Sequence, residues 1–267
     1  MANLHDVISD LNADGDDVDR MVAGLDAEQW ALPTPAPGWT IRHQIAHLSA
    51  TFRLAGLAAS DPAAFKALAA RLSDDFDDNV RRAMADYLAD PPETLFDRWR
   101  AARVAANKAL AAVPADQVVP WLVNPLPPAV LAAAGMMELF GHGQDIADAL
   151  GIVRERTDRI AHLVAFGVRT RDFGYHAHGL EPPAEEFRFE LTAPSGALWT
   201  FGPVDATERV TGPAVDFCLL VTRRRHHGDL ALVASGEKAQ AWLSIAQAYR
   251  GPAGQGRTPG QFATAAH

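Results

Sequence analysis

Two short segments of this chain place imidazole and carboxylate groups at a spacing that suits metal chemistry. In Thr40-Ile41-Arg42-His43-Gln44-Ile45-Ala46-His47 two imidazoles stand four residues apart, and Glu138 and His142 repeat that spacing in Met137-Glu138-Leu139-Phe140-Gly141-His142. Residues four apart lie one above the other on a helix face, so each pair can converge on one point. Glu138 is flanked by Met137 and Leu139, an apolar setting in which an unpaired carboxylate is costly. The competing reading is that these are packed or surface histidines, since a chain with ten His forms such pairs by chance. With a single Cys, Cys218, any metal must be held by nitrogen and oxygen, and an internal disulfide framework is excluded.

The elements that must carry these pairs read as helices. Leu4, Val7, Ile8, Leu11, Val18, Met21, Val22 and Leu25 form a helical stripe interrupted only at Asp14 and Gly15. Within it, residues 10–15 match the start of a calcium loop, but Met21 stands where the bidentate acid belongs, so they read as a solvated helix face. Pro33, Pro35, Pro37 and Gly38 forbid a helix before Trp39, and Thr40 is a suitable N-cap for a helix over 41–59. Further helices are expected over 62–88 (with a break possible), 92–113 and 129–151, and a Pro-rich loop containing Trp121 precedes the last. Such a series suggests a helix bundle with metal ligands projecting inward from facing helices. After Gly151 the pattern predicts a helix over 158–175 and a hairpin from 187 to 201, with helices over 213–222 and 237–249 flanking a strand at 230–234. The expected fold class is therefore α+β: a four-helix bundle over 1–155, then a small α+β domain over 156–267 whose Gly- and Pro-rich tail, from Gly251, reads as mobile.

Composition narrows the functional classes. Lys and Arg number 24 against 33 Asp and Glu, a net charge of −9, without the basic footprint of a nucleic-acid binder. No apolar run is long enough to span a membrane, and the N-terminal residues lack the pattern of a secretory signal, so a cytoplasmic location is expected. No phosphate-binding Gly-rich loop or G-x-S-x-G elbow is present.

The run Pro37-Gly38-Trp39-Thr40 through Ala46-His47-Leu48, followed about ninety residues later by Glu138-x-x-x-His142-Gly-x-Asp145-Ile146, resembles the DinB-like superfamily, in particular its mycothiol-dependent maleylpyruvate isomerase group. The resemblance spans nearly the whole chain. It implies a metal-binding bundle joined to a C-terminal domain related to sterol-carrier proteins. It further implies His47, Glu138 and His142 as ligands of a divalent metal, for which Zn²⁺ suits a shell of two imidazoles and one carboxylate with an open position. Ni²⁺, Mn²⁺ and Fe²⁺ share that donor chemistry. His43 departs from the family, which tends to carry an acid there; the expected role is a hydrogen-bonding neighbour of the ligands, with fourth ligand and proton shuttle as alternatives. Asp145 is expected to hold a ligand imidazole or the Trp39 loop.

In that group the open position takes the sulfur of a low-molecular-weight thiol, mycothiol. A coordinated thiol is deprotonated outright, and the thiolate can add to a small electrophilic substrate. Addition makes a rotatable single bond, and elimination restores the alkene in a new geometry; release of the adduct instead makes the enzyme a thiol transferase. The resemblance also implies a C-terminal Arg closing over carboxylates, which fits Arg223 or Arg224 in the cluster 223–227. A solvated helix end explains the same cluster. Trp121 is a candidate wall of the pocket or thiol site, and an ordinary packed Trp is the alternative. The expected function is therefore that of a metal-dependent isomerase or thiol transferase. The rivals are a thiol-independent metal hydrolase, lyase or cyclase, and a non-catalytic module whose C-terminal domain binds a ligand.

Overall fold

A computed structural model describes residues 3–122 and 124–262 and divides the chain into two units, Met1–Arg154 and Glu155–His267. In the first unit, helix α1 (Leu4–Val22) passes unbroken through Asp14 and Gly15. The glycine is explained by packing: a Cβ at Gly15 would lie 2.4 Å from Arg103 Cδ. The calcium-like segment is thus plain helix. The short α2 (Ala27–Trp30), not expected from periodicity, is closed by a capping box in which Asp26 and Gln29 bond each other's backbone N–H.

Helix α3 (Ile41–Ser60) begins where the prolines end. The expected helix over 62–88 divides into α4 (Pro62–Ala69) and α5 (Phe76–Ala89), each opened by an aspartate, Asp61 and Asp75, whose side chain accepts a backbone N–H. Helix α6 (Pro92–Ala112) and helix α7 (Pro128–Leu150) complete the unit, α7 ending on left-handed Gly151. α1, α3, α6 and α7 pack as a four-helix bundle, with α3 against α6 and α7, and α1 against α7 and α6. Gly56 permits the close α3–α6 approach, since a Cβ there would stand 3.1 Å from Ala106 Cα. Leu11, Ile45, Leu48, Leu95, Trp99, Met136 and Leu139 lie in the core between these helices.

The second unit opens with α8 (Ala161–Arg169) and α9 (Phe173–Ala177), two pieces where one helix was expected. Strands β1 (Phe187–Thr192) and β2 (Leu198–Phe201) form the expected antiparallel hairpin. Strand β3 (Glu208–Pro213), which the pattern missed, pairs parallel with β1. It is followed by α10 (Ala214–Val221), β4 (Val233–Ser235) and α11 (Glu237–Ile245), giving the sheet order β2-β1-β3-β4. Phe187, Phe189, Leu191 and Val210 point to the covered face, where Phe217 of α10 and Trp242 of α11 meet them edge to face. Along the tail, Gly260 N donates to both Asp229 carboxylate oxygens at 2.9 Å, and the Arg225 guanidinium lies 3.8 Å over the Phe262 ring. Residues 263–267 of the tail lie outside the described residues. The chain is thus α+β, and no described helix is long and apolar enough to cross a membrane.

Candidate metal centre

The site starts from a tight loop. Thr34 N donates to Trp39 O at 2.8 Å, Ile41 N to Leu32 O at 3.1 Å, and Thr34 Oγ1 to Trp39 O at 2.9 Å, so the chain doubles back before α3 starts. Thr40 is extended, as an N-cap must be, and its N–H donates to His43 Nδ1 at 3.2 Å, with Thr40 Oγ1 2.8 Å from the same nitrogen. His43 therefore serves the start of α3. Burial, and then the Arg42 charge, lower its pKa below the ordinary imidazole value, which keeps Nδ1 available as an acceptor.

One turn further on, His47 faces α7. Its Nε2 lies 3.4 Å from Glu138 Oε2, and His142 Nε2 lies 3.1 Å from that same oxygen. The three ligand atoms fall within 4.8 Å of one another, and theirs is the one such group of three among the described residues. Each is a metal-binding atom of its side chain, so the set fits a divalent cation with two nitrogen donors and one oxygen. His43 does not belong to this group. Burial is the strongest influence on Glu138 and pushes its carboxyl up, but hydrogen bonds and positive charge at His142 and His47 together bring it well below the usual carboxylate range. The carboxylate form that a metal requires is therefore the favoured one.

Three further groups surround the cluster. The Trp39 ring is stacked on His142 at 5.9 Å and 20°, and its centroid lies 5.4 Å from that of His47. Thr51 Oγ1 is 3.4 Å from His47 Nε2. Gln44, fully buried, places Oε1 2.5 Å from His142 Nδ1 and Nε2 2.9 Å from Thr34 Oγ1 and 3.4 Å from Asp145 Oδ2. Asp145 thus reaches the Trp39 loop through Gln44 and Thr34. Sequence spacing singled out neither Gln44 nor Thr51. The available signal was their i−3 and i+4 placement relative to His47, on the face that must turn inward.

The remaining sequence candidates are described by their own local contacts. Trp121 stacks on Phe65 at 5.8 Å and 12° and packs against the bundle core. Arg223 and Arg224 follow α10 in the second unit. Arg223 holds a left-handed φ of 58°, and its N–H and that of Arg224 donate to Leu220 O and Leu219 O, both at 2.8 Å. This is a Schellman closure made without glycine.

A partly buried cluster of two imidazoles and one carboxylate, held between two facing helices of a bundle, defines a candidate metalloprotein. Residues 11–147 match the family model described as mycothiol maleylpyruvate isomerase N-terminal domain, and the chain belongs to that family. Residues 183–235 match a model described as wyosine base formation. Two uncharacterized proteins of Mycobacterium tuberculosis, one from each of two strains, are 46% identical to this chain over 257 residues, covering 96% of it and 100% of each relative. Two solved structures of a mycothiol-dependent maleylpyruvate isomerase, one a mutant, superpose with a TM-score of 0.55 at 14% and 15% identity, covering 82% of this chain and 88% of theirs. At that identity the likeness establishes the fold.

Proposed function

We propose that this protein is a metal-dependent enzyme that uses a low-molecular-weight thiol of the mycothiol type to isomerise or S-conjugate a small electrophilic substrate. The observation that carries the reading is the convergence of His47, Glu138 and His142 on one point, within the segment matched by the family model. These three residues would hold the cation, with Zn²⁺ the first choice for their donor set. When bound there, such a cation would supply the charge that lets a thiol ionise near neutral pH.

The chain's own residues supply the rest. Glu138, held in its carboxylate form, would offset one of the cation's two positive charges. The Trp39 ring covers the two imidazoles and screens them from water on that side. Thr51 Oγ1, beside His47 Nε2, offers a hydroxyl that can hydrogen-bond a group entering the site. The second reading keeps the cation and dispenses with the thiol: the same three residues would hold a metal that activates water in a hydrolase, lyase or cyclase.

Metal analysis and thiol-dependent turnover test both readings. Purified protein is expected to carry close to one metal per chain, and His47→Ala and Glu138→Ala to carry essentially none. Conversion of maleylpyruvate-like alkenes, or conjugation of small epoxides, should require added mycothiol. Turnover that is indifferent to thiol would transfer the assignment to the second reading, and gently purified protein free of metal would remove both.

A further inference from the structure

Four hydroxyls within or at the end of helices in this chain are spent on the backbone. Ser49 Oγ donates to Ile45 O at 2.7 Å, Ser60 Oγ to Gly56 O at 2.8 Å, Thr170 Oγ1 to Phe166 O at 2.9 Å and Thr222 Oγ1 to Cys218 O at 2.7 Å, in each case one turn back. Thr51 differs. Its hydroxyl does not take the His47 carbonyl one turn back, and its one hydrogen-bonding neighbour among the described residues is His47 Nε2, at 3.4 Å. A contact of that length is at the weak limit for a hydrogen bond. Once that nitrogen serves as a ligand it has neither a lone pair nor a hydrogen to offer, so the Thr51 hydrogen needs another acceptor. The surroundings fix the side from which that acceptor comes. Trp39 precedes α3, and its ring lies against His47 and His142. Gln44 Oε1 takes the other nitrogen of His142, at 2.5 Å from Nδ1. Thr51 lies one turn of α3 beyond His47, away from the end that Trp39 screens.

We propose that Thr51 is the thiol-binding residue of the centre: its hydroxyl donates a hydrogen bond to the sulfur that enters beside His47. The proposal rests on the thiol reading given above, and adds to it the side of approach and the group that receives the sulfur. A hydrogen bond donated to the sulfur favours its ionised form over the neutral thiol. It also fixes the direction in which the sulfur presents its remaining lone pairs to a substrate. The residue type suits this task. Branching at Cβ restricts the rotation that would otherwise carry the hydroxyl back to the carbonyl, and the hydroxyl adds no charge to a site whose charge balance Glu138 already sets.

The experiment uses the full-length protein loaded with Co²⁺, on which a bound thiolate gives a sulfur-to-metal charge-transfer band, and mycothiol as the probe. Wild type should develop the band as mycothiol is added. Thr51→Val keeps the branching and the shape and loses only the hydroxyl. It should hold Co²⁺ and Zn²⁺ as tightly as wild type and bind mycothiol about 10- to 100-fold more weakly, the scale of a lost hydrogen bond to a charged group. Its band should lie at longer wavelength, because a sulfur relieved of a hydrogen bond gives up charge more readily. Thr51→Ser should restore the band position and most of the affinity. Thr51→Ala carries the same expectation as Thr51→Val, so a Thr51→Val chain that fails to fold does not block the test. Equal mycothiol affinity and an identical band in wild type and Thr51→Val overturn the proposal and leave the thiol reading standing. Metal affinity that falls together with mycothiol affinity also overturns it, since the hydroxyl would then act on the ligands and not on the thiol. So does a Thr51→Ser chain no better than Thr51→Val. Metal-loaded wild type that gives no band with mycothiol sinks the thiol reading, and the proposal with it.

Discussion

The helical bundle carries two clusters of polar side chains, and they are built on opposite plans. Between α1 and α6, Asp19 accepts from Trp99 Nε1 at 2.6 Å, Arg100 Nε at 3.0 Å and Arg103 Nη2 at 3.1 Å. Arg103 also reaches Asp16 at 2.8 Å and Asn12 O at 3.0 Å, and Asn107 Nδ2 donates to Asn12 Oδ1 at 2.7 Å. Two carboxylates are matched by two guanidiniums and an indole. Between α3 and α7, one carboxylate instead meets two imidazole nitrogens, and the Gln44 amide oxygen lies 2.5 Å from the other nitrogen of His142. The first cluster is complementary in itself and reads as a clamp. The second gathers groups that complement a cation, and reads as a site. Burial alone does not separate the two; the balance of donors and acceptors does.

The contrast can be broken most forcefully at the clamp. Asp19→Ala leaves Trp99 Nε1 without its acceptor and takes from Arg103 its buried carboxylate, leaving it Asn12 O and the exposed Asp16; removal of one partner of a buried ion pair costs about 3–5 kcal/mol. Chemical denaturation should show that loss, while the folded fraction still takes up metal at the wild-type stoichiometry. A cost under about 1 kcal/mol, the level of an exposed pair, would refute the clamp reading. The metal centre should answer to its ion. At a Zn²⁺ concentration of about 100 times Kd the wild type should gain about 2.7 kcal/mol in stability. Glu138→Ala should gain nothing from the same Zn²⁺, and an equal gain in both would place the ion elsewhere.

The smallest effect belongs to His43, which tests where the site ends. His43→Ala removes the partner of the Thr40 N–H and should cost about 1 kcal/mol, the usual scale of a lost cap, with metal content unchanged. The pH dependence has a defined sign. Because folding lowers the His43 pKa from 6.5, its contribution is present above about that pH and is lost as the pH falls through the folded value. The stability difference between wild type and His43→Ala should therefore shrink on acidification. A difference that grows instead, or metal lost along with the imidazole, would return His43 to the ligand environment.

What the sequence made legible follows from the range of each interaction. The Glu138 and His142 pair was visible because it needs only the local period of one helix, whereas the choice of His47 over His43 came from the family resemblance and not from spacing. The start of α3 was visible because three prolines and a threonine leave little choice. Gln44 was hidden because the partner that gives it meaning, His142, is 98 residues away, and a buried Gln looks in sequence like any polar helix residue. The family pattern pointed to position 43, whereas the contact is made at 44. A shift of one residue turns a helical side chain by about 100°, from the cap to the interior. Strand β3 was missed for a related reason: Gly212 and Pro213 argue against a strand locally, and pairing with β1 overrides them. The breaks at 70–75 and 170–172 likewise depend on which turns find partners, which periodicity does not report.

The close contact of Gly56 with Ala106 has a consequence for the metal. His47 and Gln44 ride on α3, while Glu138, His142 and Asp145 ride on α7, so the coordination geometry exists at one register of the two helices only. An axial slip of one residue is about 1.5 Å, enough to part the ligands. Seating of α3 on α6 at Gly56 is therefore also an alignment of the centre, more than two turns beyond His47. Metal affinity at the proposed centre should act as a gauge of helix register, reporting disturbances in the bundle that no ligand touches.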